Sequence, residues 1–281
     1  MERSCDEQSD RESAVEAIVL AGGFSRRFGD REKLTAPIAG EPMLRRVVRT
    51  VEPLSRRIVV SCRRDQQAAF EAALAPDEDV DVPTAPGDAP GVSGEVPTAS
   101  RNVPVTFSFD DPPDCGPLAG LATAIGAVEA DATIVVGGDL PLLRTGALAA
   151  LLAALGGEFG PVGRGTGIAS GGDDRGEAVE DGDGTREPVD AAVPTVDGRL
   201  QPLCSVCRTR RLRSNLASIP DPRDRPVVAA FEGLSVREVP ASRLPGGEAS
   251  FGNVNTPADR REVASRLAGR VAPASGGGGS S

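Results

Sequence analysis

The sequence of 281 residues contains no histidine, no tryptophan and no tyrosine, and only eight residues are phenylalanine. With so few aromatic side chains, the core must be built from alanine, valine, leucine and isoleucine. Small aliphatic residues of this kind suit a parallel sheet that is covered by helices on both faces. The composition therefore favours an α/β fold.

Cysteine is also scarce, with five residues in the chain. An odd number of cysteines in a chain of this length does not indicate a disulfide framework. Cys204 and Cys207 form one C-x-x-C pair, but a structural zinc ion needs about four ligands and no histidine can complete the set. We therefore expect these two cysteines to be small buried thiols rather than metal ligands.

Positive charge is in deficit: the formal net charge is −10, and Lys33 is the only lysine among 31 basic residues. A negative field repels nucleic acid and anionic membranes, so neither is expected as a partner. A negatively charged substrate must instead be caught by local backbone N–H groups, basic side chains and a metal ion. The acidic excess resembles an adaptation to high salt, although a GC-rich genome alone also favours arginine over lysine.

Long hydrophobic runs are missing from the start of the chain. Residues 1–15 are polar, and the apolar run at 17–21 is too short for a signal-peptide core or a membrane span. We therefore expect a cytoplasmic protein.

Apolar runs alternate with helical patterns from residue 16 to residue 268, which predicts one domain with a doubly wound, mostly parallel sheet. Strands are predicted at 16–20, 58–60, 103–109, 133–136, 191–196 and 234–239, and helices at 43–54, 66–74, 117–128, 146–155, 208–217 and 257–268. Composition marks four flanking or interrupting segments: a polar extension at 1–15, flexible insertions at 75–101 and 156–187, and a Gly/Ser-rich tail at 269–281.

The first predicted strand runs into a glycine-rich segment with the chemistry of a phosphate-binding loop. Glycines let the main chain approach an anion and turn its N–H groups toward it, while arginine and lysine side chains add positive charge. Neither the G-x-x-x-x-G-K-[ST] loop nor the G-x-G-x-x-G fingerprint is present. The candidate nucleotide-binding residues here are Leu20, Ala21, Gly22, Gly23, Ser25, Arg26 and Lys33.

Acidic residues stand at the ends of two later predicted strands, where open α/β sheets bind their ligands. Asp110, with Asp111 as the alternative, precedes the run Gly-Pro-Leu-Ala-Gly at 116–120. Such a carboxylate can accept hydrogen bonds from N1–H and the amine of guanine, or it can simply cap a turn. Asp139 follows the fourth predicted strand, where its carboxylate could hold Mg²⁺ or cap the next helix.

These segments together resemble the motifs of the MobA-like nucleotidyltransferases, which include the molybdenum cofactor guanylyltransferases. The glycine-rich segment and Lys33 are similar to the L-A-G-G-x-S-x-R-M-G-x-x-x-K signature, with Phe28 in place of methionine. The G-P-L-A-G run is shared, and residues 201–203 and 251–259 resemble the Q-P-L and F-x-N-x-N-T-P-x-D stretches. The resemblance runs in order from about residue 17 to residue 268 and implies the doubly wound nucleotidyltransferase fold.

The resemblance also implies an activity. The enzyme would transfer GMP from GTP to the terminal phosphate of molybdopterin that carries molybdenum, giving the guanine dinucleotide cofactor and pyrophosphate. Lys33 and Arg26 would neutralise the triphosphate, Asp139 would hold a Mg²⁺ cofactor, and Asp110 would select guanine. Molybdoenzymes would be the partners that receive the product.

Other assignments are left open by the sequence. Gln201, Asn253 and Asn255 are candidates for binding the acceptor, although the asparagines also suit turns. Ser61 is a further candidate for nucleotide binding, because it stands where the family often has an asparagine that contacts the nucleotide. The choice of GTP over another triphosphate is therefore not fixed. The alternatives are a related transferase that uses CTP or another phosphorylated acceptor, a non-catalytic protein that binds nucleotide and delivers cofactor, and a dinucleotide-dependent oxidoreductase.

Overall fold

The computed structural model describes residues 15–22, 32–75, 103–109, 115–156 and 189–271. Their strands are β1 (Val15–Leu20), β2 (Pro37–Ile38), β3 (Glu41–Pro42), β4 (Ile58–Cys62), β5 (Val105–Phe109), β6 (Ala132–Gly137), β7 (Ala191–Val196), β8 (Arg199–Leu200), β9 (Cys204–Arg208) and β10 (Val236–Pro240). Their α-helices are α1 (Met43–Val51), α2 (Gln67–Leu74), α3 (Gly116–Ala124), α4 (Thr145–Leu155), α5 (Thr209–Ala217) and α6 (Pro257–Val271).

One large sheet organises the described residues. Its strands lie in the order β10-β7-β9-β6-β1-β4-β5, and β8 pairs with β7 beside this order. β1 is parallel to β4 and β6, β4 is parallel to β5, and β7 is parallel to β10. Among the described strands of this sheet, only β8 and β9 run in the direction opposite to the rest. The mostly parallel α/β sheet predicted from the sequence is thus confirmed.

β8 and β9 were not predicted, because the sequence between residues 196 and 208 has no continuous apolar run. β9 has the sequence Cys-Ser-Val-Cys-Arg, with a single β-branched residue and no apolar run, so its strand propensity is weak. It forms because it fills the gap between β6 and β7, and its ladder with β6 extends from Cys204 to Arg208. Tertiary pairing therefore overrides the local sequence here.

The two faces of the central strand β1 feed two separate cores, since side chains alternate along a strand. Ala17 and Val19 pack into the core that includes side chains of α1, α2, α4 and α6. Ile18 and Leu20 pack into the opposite core, with side chains of α3 and α5. Helices therefore cover both faces of the sheet, as the lack of aromatic residues and the apolar strands predicted.

Several predicted boundaries lie outside the described residues, including most of both insertions and of the two termini. β1 begins at Val15, one residue earlier than predicted, and α6 continues to Val271, three residues further than predicted. The predicted helix at 43–54 ends as an α-helix at Val51, and a 3-10 turn at Glu52–Leu54 replaces its last turn. Among the described helices, none combines the length and apolarity needed to cross a membrane.

Candidate active site

The carboxyl ends of β1 and β6 lie side by side, since Leu20 pairs with Gly137. The chain leaves β1 through Ala21 and Gly22, whose N–H groups both donate to the carbonyl oxygen of Ser61, at 2.8 and 2.9 Å. These two amides therefore anchor the start of the glycine-rich segment to β4. The Ser61 side chain is buried, and the residue contributes to this edge through its main-chain carbonyl.

Three motifs that are far apart in the sequence meet at the ammonium group of the single lysine. Lys33 Nζ lies 3.0 Å from Oδ2 of Asp139 and 3.1 Å from Oδ1 of Asn255. The Lys33 and Asp139 side chains are 13% and 22% exposed, respectively. Charge-assisted hydrogen bonds of this length are strong, yet partial exposure leaves both groups accessible to a ligand.

Two glycines give the carboxylate its position at the end of β6. A Cβ atom on Gly137 would lie 2.9 Å from Oδ1 of Asp139, closer than ordinary contacts allow. A Cβ on Gly138 would lie 3.0 Å from Cδ1 of Leu34 and 3.4 Å from the carbonyl oxygen of Leu20. The Gly-Gly-Asp sequence therefore lets the Asp139 carboxylate turn back toward the strand end while the segment of Lys33 packs close to it.

Asn255 is held by the first turn of α6, which begins with a reciprocal cap. The carboxylate of Asp259 accepts hydrogen bonds from the N–H groups of Asn255 and Thr256, both at 2.8 Å, and Thr256 Oγ1 accepts from the N–H of Asp259 at 3.1 Å. These bonds, led by the one from Asn255, lower the pKa of Asp259. The N–H of Val254 donates to the carbonyl of Asp139 at 3.1 Å, so the asparagine backbone is fixed to the same strand end.

Two adjoining cavities open at this edge of the sheet. The smaller has a volume of about 230 Å³ and is lined by Leu20, Ala21, Gly22, Glu32, Lys33, Leu34, Pro117, Gly137, Asp139 and Leu203. The larger has a volume of about 530 Å³ and is lined mainly by apolar side chains, with Gln201 and Asn253 among its polar residues. Pro117 and Leu203 line both cavities, so two ligands bound there would be neighbours.

Most of the predicted site residues that the structure describes line one of these two cavities, whereas Ser61 and Asn255 line neither. Leu20, Ala21, Gly22, Lys33 and Asp139 line the smaller one, and Gln201 and Asn253 line the larger one. Asn255, a predicted acceptor-binding residue, contacts Lys33, and its role stays a prediction. Five predicted residues lie outside the described part of the chain, and their roles stay predictions: Gly23, Ser25, Arg26, Asp110 and Asp111.

Five lining residues of the smaller cavity were not among the predicted site residues: Glu32, Leu34, Pro117, Gly137 and Leu203. Glu32 and Leu34 flank Lys33, and the carboxylate of Glu32 accepts a hydrogen bond from Nε2 of Gln66 at 2.8 Å. Pro117 and Leu203 lie inside the G-P-L-A-G and Q-P-L motifs. Their position beside a recognised motif was the available signal, because residues next to a ligand-binding group often form the wall of its pocket.

The C-x-x-C pair behaves as the sequence predicted. Residues three apart on a strand point to opposite faces, and Cys204 and Cys207 accordingly pack into the two different cores. Burial raises the pKa of Cys207 to about 12 and also raises that of Cys204 far above its ordinary value. Both thiols are buried and unsuited to share one ion, and the described residues contain no group of three or more Cys, Asp and Glu side chains that could hold a metal.

Comparison with known proteins identifies the family. The model of the MobA-like NTP transferase domain matches residues 17–233. A probable molybdenum cofactor guanylyltransferase of Haloferax mediterranei is 32% identical over 270 residues, covering 92% of this chain and 99% of the relative. A protein of Natronomonas pharaonis with the same name is 28% identical and covers 89% of this chain and 96% of its own length.

Solved structures agree on the fold. The molybdopterin-guanine dinucleotide biosynthesis protein A of Archaeoglobus fulgidus superposes with a TM-score of 0.57 at 19% identity, over 90% of this chain and 99% of that one. A 4-diphosphocytidyl-2C-methyl-D-erythritol synthase of Anaerococcus prevotii gives 0.55 at 12% identity, over 92% and 99%. The family match extends over most of the chain and includes the end of β1, Lys33 and Asp139. The chain therefore belongs to the MobA-like NTP transferase family and is a nucleotidyltransferase.

Proposed function

We propose that this enzyme transfers GMP from GTP to the terminal phosphate of molybdopterin that carries molybdenum, releasing pyrophosphate. The observation that carries the proposal is that Oδ2 of Asp139 and Oδ1 of Asn255 both lie within 3.1 Å of Lys33 Nζ. This contact lies beside a cavity at the carboxyl ends of parallel strands. The relatives from Haloferax mediterranei and Natronomonas pharaonis are both named as probable molybdenum cofactor guanylyltransferases, which supports the choice of nucleotide and acceptor.

Asp139 and Asn255 suit a magnesium ion, since both present the oxygen atoms that this ion prefers. A positive charge already lies between these oxygens, because the ammonium group of Lys33 contacts both of them. Magnesium in nucleotide enzymes usually takes one or two carboxylates from the protein and completes its shell with water and phosphate oxygens. When bound, the ion would neutralise charge on the triphosphate.

The remaining chemistry can be carried by positioning and charge. An oxygen of the acceptor phosphate would attack the α-phosphorus of GTP, a new P–O bond would form, and the bond to pyrophosphate would break. Such a displacement needs no covalent protein nucleophile, so a chain without histidine can perform it. The ammonium group of Lys33 would neutralise phosphate oxygens, and the loop anchored by Ala21 and Gly22 would enclose them, together with Arg26.

The larger cavity supports the assignment of the acceptor. Its apolar walls and few polar groups are typical of a site for a flat heterocycle with hydrogen-bonding edges. Gln201 is fixed in this wall, because its N–H donates to the carbonyl of Pro194 at 2.8 Å and its Nε2 to the carbonyl of Arg199 at 3.2 Å. Because this cavity adjoins the Lys33 cavity, an acceptor bound there would have its phosphate near the triphosphate.

The test is pyrophosphate release by the purified enzyme with Mg²⁺, molybdenum-bearing molybdopterin and either GTP or CTP, at low and at molar KCl. We expect release with GTP, with loss of at least 100-fold in Lys33→Met. The matched control is Arg266→Met, which removes one positive charge from an exposed position on α6 and should keep full activity.

Each other outcome assigns a different function. Release with CTP alone would identify a cytidylyltransferase, and release with GTP only when another phosphorylated compound is the acceptor would replace molybdopterin. Binding of GTP without pyrophosphate release under any acceptor would identify a non-catalytic nucleotide-binding protein. Binding of reduced nicotinamide dinucleotide in place of GTP would support an oxidoreductase.

A further inference from the structure

The single lysine occupies the position of a cation between two oxygen atoms that belong to different motifs. We propose that Lys33 and the divalent ion compete for Asp139 and Asn255, so that the ion binds only when the ammonium group leaves them. The lysine would thereby be released toward the triphosphate as the metal arrives. This inference rests on the proposed function for the existence of the divalent site, and it adds an order of events at that site.

The contacts cannot serve both cations at once. Lys33 Nζ is 3.0 Å from Oδ2 of Asp139 and 3.1 Å from Oδ1 of Asn255, which are hydrogen-bond distances. Magnesium holds oxygen ligands at about 2.0–2.1 Å, so the two oxygens must close around it into the space that the ammonium group occupies. An ammonium group left beside the ion would also repel it, and this repulsion is strong where water is partly excluded.

The surrounding backbone is built so that only side chains need to move. The 3-10 turn of Lys33–Thr35 is held by Thr35 Oγ1, which donates to the carbonyl of Glu32 at 3.0 Å. On the other side, Asp139 and Asn255 are tied together through the N–H of Val254. Lysine has four rotatable side-chain bonds, and this one lines the cavity of about 230 Å³. Its ammonium group can therefore swing into the cavity while its turn stays in place.

The first test measures binding of Mn²⁺, as a probe for Mg²⁺, to the nucleotide-free enzyme by the electron paramagnetic resonance signal of free Mn²⁺. The specific site is defined as the binding that is lost in Asp139→Asn, because an acidic protein also binds cations weakly elsewhere. We expect Lys33→Met to bind Mn²⁺ at this site roughly tenfold more tightly than the unsubstituted enzyme, although the same substitution should lower turnover at least 100-fold. Arg266→Met should leave the affinity unchanged.

The outcomes separate the two proposals. Unchanged or weaker Mn²⁺ affinity in Lys33→Met would overturn the competition while leaving the divalent site intact. Full retention of Mn²⁺ binding in Asp139→Asn would overturn the divalent site itself, and with it both the competition and the metal's part in the proposed function.

A second measurement uses the unsubstituted enzyme and so avoids any effect of substitution on folding. Because Lys33 is the only lysine, an amine-reactive reagent can label only this side chain and the chain's terminal amine, and peptide mass spectrometry distinguishes them. The competition predicts that Mg²⁺ without nucleotide speeds the labelling of Lys33 severalfold, whereas Mg²⁺ with GTP slows it. Slower labelling with Mg²⁺ alone would contradict the proposal.

Discussion

The two ends of β1 carry ion clusters of opposite character. At its amino end, Glu16 is 1% exposed, and its carboxylate accepts from Arg56 at 2.9 Å and from Arg57 at 3.0 Å. The N–H of Glu129 adds a further hydrogen bond at 3.0 Å. At the carboxyl end, Lys33 lines a cavity and contacts the neutral amide of Asn255 and the part-exposed carboxylate of Asp139. These three residues form the Lys33 cluster.

The difference shows how a structural charge cluster at a strand end can be told from a functional one. In the Glu16 cluster, which comprises Glu16, Arg56 and Arg57, both carboxylate oxygens accept hydrogen bonds from groups of the protein itself. Losing these partners would leave the buried carboxylate charge unpaired. The Lys33 cluster faces a cavity, where phosphate oxygens or a metal ion can replace its present contacts at little cost. We therefore interpret the first cluster as structural and the second as functional, and the following substitutions test this division.

Asp139→Asn should produce the largest effect, on activity alone. The substitution keeps the size of the side chain but removes the charge that would hold the cation, and we expect kcat/KM to fall roughly 10²- to 10³-fold. Unfolding in urea should change little, because the carboxylate is part-exposed. Steady-state pyrophosphate release beside equilibrium unfolding is the measurement. Activity within fivefold of the unsubstituted enzyme would mean that the Lys33 cluster is not the catalytic one.

Glu16→Gln should show the reverse pattern. Two arginines lose a buried ionic partner, and we expect the free energy of unfolding to fall by about 3 kcal/mol with little change in kcat for the folded enzyme. The matched control is Glu262→Gln, since Glu262 pairs with Arg266 at 2.7 Å but is 65% exposed. That substitution should cost less than about 1 kcal/mol. Equal losses of stability for the two variants would mean that the buried ion pairs of Glu16 contribute no more than an exposed pair.

Gly138→Ala should have a smaller effect on activity and stability together. Its Cβ would press on Leu34 at 3.0 Å and approach the carbonyl of Leu20, so Leu34 must shift and take the neighbouring Lys33 with it. We expect a loss of roughly tenfold in kcat/KM and about 1 kcal/mol in stability. The control is Gly126→Ala, whose Cβ meets nothing within 4 Å. If both variants behave alike, close packing at the end of β6 is not what positions the cluster.

The sequence predicted the parts of this site more completely than their arrangement. Lys33 and Asp139 could be named as candidates because their segments resemble family motifs and follow apolar runs, and parallel strands bring the segments after them to one edge. The contact of Asn255 with Lys33 could not be predicted, since 222 residues separate them and no local pattern encodes that distance. Glu16 was read only as the first residue of a strand, because its arginine partners are identified by the pairing of β1 with β4.

The fold shows the same division between local and tertiary information. Six strands and six helices were predicted because each has an apolar period of its own. β9 was missed because its stability comes from pairing with β6 and β7 on either side. The C-x-x-C pair lies on this strand, and the prediction that its two thiols are buried is confirmed.

Asp259→Asn should give the smallest effect. It tests how the first turn of α6 positions Asn255 in the Lys33 cluster. The folded protein lowers the pKa of Asp259 below its ordinary 3.8. Its stabilising contribution is therefore complete above the ordinary pKa and is lost as pH falls through the lowered one. We expect the variant to be slightly less stable at pH 7, with a modestly raised KM for the nucleotide through Asn255.

Salt and acid should both erase the difference in stability between Asp259→Asn and the unsubstituted enzyme. Asp259 is part-exposed, so molar KCl screens its carboxylate, and protonation below its lowered pKa makes the two proteins alike. The deficit of Glu16→Gln should persist in molar KCl, because the Glu16 side chain is only 1% exposed and a buried charge is screened much less by salt. Thermal unfolding of both variants across KCl concentration is the measurement. A Glu16→Gln deficit that vanishes in salt would mean that the two ends of β1 differ in sequence but not in electrostatic character.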